Sequence, residues 1–329
     1  MKKLLQFLSP MLPASVWVLL STFFLGSCHK NEDSCSDDIP TPPYTNPVWH
    51  PDGLRIGFNR LPLKAVIRDD AICGGYSYDY YTDSIGFWLI NKDGTGLRRV
   101  TTFQLLNPAW SPDGHWIAYC NGGDIYKMAF DGTNFDTAHI INLTNNGASN
   151  FFPSWNTSGD TIYYDSNKDA PAGTSFYAIW KMDATGYGQT NVTRDLNAGG
   201  REPFYMGNGQ ILFIRFVGGV EQVFSMDTNG DNIKQITTNI YSHNFSKKEY
   251  PKAFNERVFF EDFGIWTINT DGSGLEQLNL GSVEDFSISK DGIIASVNFD
   301  YSKLDKTSGT IWLMDTSGKN KSQITFNNY

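Results

Sequence analysis

Residues 109–119 read AWSPDGHWIAY: an aromatic, a Pro-Asp-Gly turn, then a strand of alternating apolar positions. Five other stretches repeat the plan: VWHPDGLRIGF from Val48, SWNTSGDTIYY from Ser154, FYMGNGQILFI from Phe204, AFNERVFF from Ala253 and FSISKDGIIASV from Phe286. Each is followed by a second half with its own Asp/Gly turn, usually closing on a Thr. These halves are FWLINKDGTGLRRVT from Phe87, IYKMAFDGTN from Ile125, IWKMDATGYGQTNVT from Ile179, VFSMDTNGDNIKQIT from Val223, IWTINTDGSGLEQL from Ile265 and IWLMDTSGKNKSQIT from Ile311. A repeat of roughly 40–50 residues holding four short strands is the signature of a propeller blade.

The residue types fit that architecture. Alternation such as Ile125, Met128 and Phe130 around Lys127 suits strands buried between neighbouring sheets. Asp93-Gly94, Asp131-Gly132, Asn229-Gly230 and Asp271-Gly272 supply the positive φ that tight hairpins need. Tryptophan and phenylalanine fill the space between blades around an axis. One four-stranded blade cannot bury both of its faces, so the ring must close. The reading is an all-β, six-bladed propeller of four-stranded antiparallel blades over residues 46–329. Each blade consists of consecutive chain in the strand order a-b-c-d, so the first and last blades should meet by packing alone.

The WSPDG–I–F, IY-M-DG and LT pattern resembles the WD40-like (PD40) repeats of TolB propellers. The resemblance spans nearly the whole repeat region and implies the fold more than any activity, since such repeats also accompany peptidases and lyases. The amino-terminal α/β domain of TolB has no counterpart in the residues before the first repeat.

Residues 1–27 read as a lipoprotein signal peptide. Lys2 and Lys3 make a basic start, Ala14 to Phe24 an apolar stretch, and Leu25-Gly26-Ser27-Cys28 a lipoprotein cleavage box. Cys28 would then carry the lipid, and acyl chains at about 0.8 kcal/mol per buried methylene would anchor the protein to a bilayer. Cleavage leaves 24 basic against 35 acidic residues, a net charge of −11, which disfavours nucleic acid as a partner. Residues 28–45 form an acidic, proline-containing tether. His29 follows the cysteine where an inner-membrane retention signal would have Asp. The acidic cluster resembles the export signal of Bacteroidota surface lipoproteins. These features imply an outer-membrane lipoprotein, periplasmic or surface-exposed.

Cys35, Cys73 and Cys120 remain besides the lipid site. A Cys73–Cys120 disulfide, three free thiols and a Cys35–Cys73 bridge all stay open. Asp227 to Asp231 resembles the start of a calcium loop, but Asn232 stands where glycine belongs and Thr238 where the closing glutamate belongs. The histidines are scattered; His50 and His115, in the a–b turns of blades one and two, read as solvated turn residues. There is no GxSxG elbow. No catalytic residue, metal or cofactor is assigned.

Two function classes follow. One is a monomeric, non-enzymatic envelope protein whose propeller face binds a protein, peptide or glycan. The other is a propeller-fold glycosidase or polysaccharide lyase, which needs catalytic groups converging on the central funnel. The a–b and c–d turns are short, whereas the b–c and d–a connections share the opposite face and vary. The longest, residues 61–85, contains Tyr76, Tyr78, Tyr80 and Tyr81. Long loops rich in tyrosine make good contact surfaces. The expected contacts are Tyr78, Tyr80, Tyr81, Arg201, Tyr241 and Phe245.

Overall fold

The computed structural model describes residues 43–69, 75–171, 174, 176–193, 199–238, 248–278, 282–299 and 309–327. The propeller lies within the compact unit Asp37–Tyr329; Met1–Ser36, with the stretch expected to be a signal peptide and Cys28, falls outside the described residues. No α-helix occurs among the described residues, and none is therefore long and apolar enough to cross a membrane.

Six four-stranded antiparallel sheets follow one another along the chain, each built from its own stretch of sequence, with a separate two-stranded hairpin inserted between the second and third strands of the first. Blade one pairs Tyr44–Trp49, Arg55–Arg60, Gly86–Asn91 and Arg98–Arg99. Blade six pairs Ser282–Ile288, Ile293–Phe299, Thr310–Asp315 and Ser322–Gln323. No strand is exchanged across the closure, as the repeats predict. Blades six and one instead share a core containing Tyr44, Phe58, Ile90, Val297 and Ile311. The Tyr44 hydroxyl donates across the seam to the Phe326 carbonyl at 3.1 Å. Five further apolar clusters fill the remaining blade interfaces. Each fully buried Phe, Ile or Leu there contributes roughly 1.5–3 kcal/mol.

The repeated polar residues have specific tasks. The Thr two residues past strand d accepts a backbone N–H from strand c: Phe87 to Thr101, Ile125 to Thr144, Ile179 to Thr193, Val223 to Thr237 and Ile311 to Thr325, at 2.8–3.3 Å. The c–d turn Asp accepts the backbone N–H two residues on, as in Asp93–Thr95, Asp183–Thr185, Asp271–Ser273 and Asp315–Ser317. Asp227 belongs to the same set: Gly230 N–H donates to its carbonyl and the Asn232 amide to its carboxylate, so the calcium-like stretch is a hairpin turn.

The turn glycine has a second role beyond its positive φ. A Cβ on Gly230 would lie 2.0 Å from the Val192 carbonyl of the preceding blade, and one on Gly186 2.5 Å from that of Leu143. Gly94 approaches Ile324 across the closure less tightly, at 3.7 Å.

Two expectations change. Residues 61–85 contain a two-stranded hairpin, Leu63–Asp69 with Gly75–Tyr80, in which Val66 faces Tyr78 and Ile67 faces Ser77. Alternating β-branched and aromatic residues favour strand pairing over an open loop. His50 is only 7 % exposed, lying edge-on to Trp110 at 4.6 Å between blades one and two, with Asp52 at 3.0 Å. His115, further along the equivalent turn, is exposed.

Candidate functional site on the propeller axis

Every innermost strand carries a bulge at the same place. Register shifts occur between Thr45/Val48, Leu106/Ala109, Phe151/Ser154, Arg201/Phe204, Glu249/Lys252 and Val283/Phe286. In five blades the two unpaired residues are X-Pro, and X sits in the left-handed region: Asn46, Asn107, Phe152, Glu202 and Tyr250, with φ of 47–53°. Asn tolerates this conformation, while Phe, Glu and Tyr do so at a cost of order 1–3 kcal/mol. The proline has no N–H to offer the ladder, which suits a strand edge facing the axis. In blade six the register puts Asp285 at the proline position.

The bulge turns backbone N–H groups away from the ladder, and side chains of neighbouring blades accept them. Glu202 donates to Asp165 at 3.0 Å and Tyr250 to Glu202 at 2.7 Å; in blade two it is Leu105, just ahead of the strand, that donates to the Asn59 amide oxygen at 2.8 Å. Cys120 takes the corresponding donor from Phe152. Its thiol is buried and free, and burial raises its pKa; Cys73, the expected partner, lies outside the described residues, as does Cys35.

Around the axis these strands enclose a cavity of about 300 Å³. Phe152 of blade three and Tyr250 of blade five approach with ring centroids 6.2 Å apart although blade four separates them in the ring. Both side chains therefore reach the axis. The wall also includes Trp110, Trp155, Glu202, Lys252 and Asp285. Asp285 accepts the Asn46 amide at 2.9 Å and the Phe286 N–H at 2.6 Å. Lys252 lies 5.5 Å from the Phe204 ring, and its ammonium has no hydrogen-bond or ion-pair partner among the described residues. The side chains of Asn107 and Tyr250 likewise lack hydrogen-bond partners there. The Ser287 hydroxyl is unpartnered in a residue only 8 % exposed.

Burial dominates the electrostatics. It pushes the Glu202 carboxyl up to about 8 against the pull of the Tyr250 N–H, and Asp165 to about 7. Asp165 Oδ1 has no hydrogen-bond partner among the described residues. Asp285 rises to about 6, moderated by Lys252, whose own pKa burial lowers. Glu261, paired across the strands with Glu249, is raised to about 8 by burial and that neighbour. The cavity wall thus carries two carboxyls whose proton affinities are raised to different extents. Among the described residues no group of three His, Cys, Asp or Glu side chains is placed to hold a metal ion.

Of the sequence-predicted contacts, Arg201 opens the innermost strand of blade four, and Tyr78, Tyr80 and Tyr81 belong to the insertion between the second and third strands of blade one. Arg201 is half-exposed beside Glu202, its guanidinium 5.6 Å from the Tyr177 ring and 3.9 Å from Glu221. Tyr80 is half-buried and Tyr81 is 47 % exposed at the base of the blade-one hairpin. Tyr78 lies in the hairpin strand Gly75–Tyr80, described in its backbone alone. Arg201 belongs to blade four, half a ring away from these tyrosines. Tyr241 and Phe245 lie outside the described residues. The axial residues Asn107, Glu202, Tyr250, Lys252 and Asp285 were not singled out from sequence; their signal was the X-Pro recurring at one position of the repeat.

No family model and no curated protein matches the chain. Solved structures do. The putative TolB from Agrobacterium tumefaciens superposes with a TM-score of 0.58 at 18% identity, over 72% of this chain and 87% of that one. TolB from Acinetobacter baumannii gives 0.55 at 16%, over 82% and 62%. An oligogalacturonate lyase in complex with manganese gives 0.51 at 10%, over 84% and 74%. At such identities the likeness is one of fold, and it agrees with the repeats: the chain folds as a six-bladed propeller of the TolB kind.

Proposed function

We propose that this is a non-enzymatic binding protein of the cell envelope, anchored by lipid at Cys28 through the tether 28–45 to the outer membrane, on its periplasmic or outer side. The propeller, residues 46–329, binds an envelope protein, a peptide or a glycan at the axial cavity and the face surrounding its mouth. The carrying observation is the axial cavity of about 300 Å³, on whose wall closure of the ring brings together Asn107, Tyr250, Lys252 and Asp285 from blades two, five and six. A concave site with a few convergent polar groups among apolar walls is the usual form of a ligand pocket. Arg201, Tyr78, Tyr80, Tyr81, Tyr241 and Phe245 would extend the contact around the rim. The experiment is co-purification from solubilised envelopes. Deleting residues 66–84, or changing Tyr241 and Phe245 together to alanine, should abolish recovery of the partner. Recovery that survives both changes places the contact elsewhere. In the same preparations Cys28→Ser should move the protein from the membrane to the soluble fraction.

One observation favours a carbohydrate-active enzyme instead: Glu202 and Asp285 line one cavity with different proton affinities. Different proton affinities are what acid/base chemistry requires. Release of reducing ends from polysaccharides, lost in both Glu202→Gln and Asp285→Asn, would establish that reading.

A further inference from the structure

We infer that the axial cavity binds a single neutral pyranose ring, the terminal residue of a glycan. This rests on the binding-protein reading above and names the class of ligand.

Size comes first. About 300 Å³ is at the small end of ligand pockets and admits one sugar-sized ring. The chemistry of the wall comes second. Phe152 and Tyr250, both half-buried, offer aromatic surface, the edges of the buried Trp110 and Trp155 reach the wall, and the prolines of the bulges add further apolar wall. The C–H faces of a pyranose pack against such surfaces. The polar groups are mixed in kind. Lys252 can only donate, Asn107, Tyr250 and Ser287 can donate or accept, and the ionised Asp285 only accepts. A ring of hydroxyls, each donating and accepting, is the ligand class that matches such an inventory.

Charge comes third. Lys252 makes no ion pair within 4.0 Å among the described residues, while the Asp285 and Glu202 carboxyls act on it electrostatically. An anionic ligand drawn to the ammonium would also meet Asp285, and a cationic one drawn to Asp285 would meet Lys252. A neutral ligand can use both groups.

The test uses the full mature chain with Cys28→Ser, so that it is soluble. Saturation-transfer NMR and calorimetry would survey the methyl glycosides of glucose, galactose, mannose and N-acetylglucosamine, with glucuronate, galacturonate and glycinamide as charged controls. At least one neutral glycoside should bind with a Kd on the order of millimolar, as expected for a ligand of this size. Lys252→Met and Asn107→Ala should each weaken it about tenfold or more, while Tyr187→Ser in an outer turn leaves it unchanged. Asn107→Ala removes a half-buried amide and costs only the left-handed penalty in stability, so its effect on binding can be read in a folded protein even if Lys252→Met perturbs the fold. Binding of none of the neutral glycosides, preference for a uronate, or indifference to both cavity variants overturns the inference. If an envelope partner still co-purifies with the Asn107→Ala protein while no sugar binds, the sugar assignment alone fails. If neither is captured, the binding-protein reading fails with it.

Discussion

Glu202 has its backbone in the left-handed region ahead of Pro203 while its carboxyl, beside Asp165, Glu249 and Arg201, accepts the Tyr250 N–H of the next blade. Its pKa in the folded protein is about 8, set mainly by burial, against an ordinary glutamate near 4.3 in the unfolded chain. Between those values the folded state binds more protons than the unfolded one, so its contribution makes stability fall as pH rises through that window and level off above it. Glu202→Gln keeps an oxygen for Tyr250 and removes the titration. Melts at pH 5 and pH 8 should therefore differ less in the variant than in the parent, with the variant the more stable at pH 8. Asp165, Glu261 and Asp285 leave a residual slope of the same sign. An unchanged gap between the two melts would show that the carboxyl titrates normally. Cys120 offers a second check at this scale. Buried and with its pKa raised, it should resist iodoacetamide in the native protein and react after denaturation.

The strands and their turns were largely legible, and the inner edge was not. Tryptophan-turn-strand and strand-DG-strand copies set blade number, strand order and turn positions, because their period survives substitution. The hairpin at Leu63–Asp69 and Gly75–Tyr80 was read as loop since it lies outside the repeat, although Ala65-Val66-Ile67 and the alternate tyrosines carry strand character. The axial site was hidden for another reason. Asn107, Glu202, Tyr250 and Asp285 are far apart in sequence, and only closure of the ring brings equivalent positions together. Proline in a strand also reads as a reason to end it. The c–d turns yield a graded prediction from one substitution made twice. Gly230→Ala sets a methyl against the Val192 carbonyl, whereas Gly94→Ala meets nothing closer than 3.7 Å. Both incur the left-handed penalty of roughly 1 kcal/mol. Gly230→Ala should lower the denaturation midpoint by clearly more, and equal losses would mean the turn does not press on its neighbour.

At the scale of the molecule, stability resides between blades. Each apolar cluster joins two neighbouring sheets, so a blade cannot loosen without opening two interfaces. The seam between first and last blades is built like the rest, from a shared core, the Tyr44–Phe326 hydrogen bond and the Asn46–Asp285 contact.

That seam makes the starting point of the chain arbitrary. Since no strand crosses it and Tyr44 touches Phe326, a short linker could join the propeller's two ends and the chain could be cut open between any other pair of blades. A circular permutant beginning at Gly199 and ending at Thr193 should fold to the same ring, with a melting temperature within a few degrees of the parent, because every sheet keeps its four strands and every interface its residues. Failure to fold would show that blade one must be made first, and that chain order carries information which the finished ring conceals.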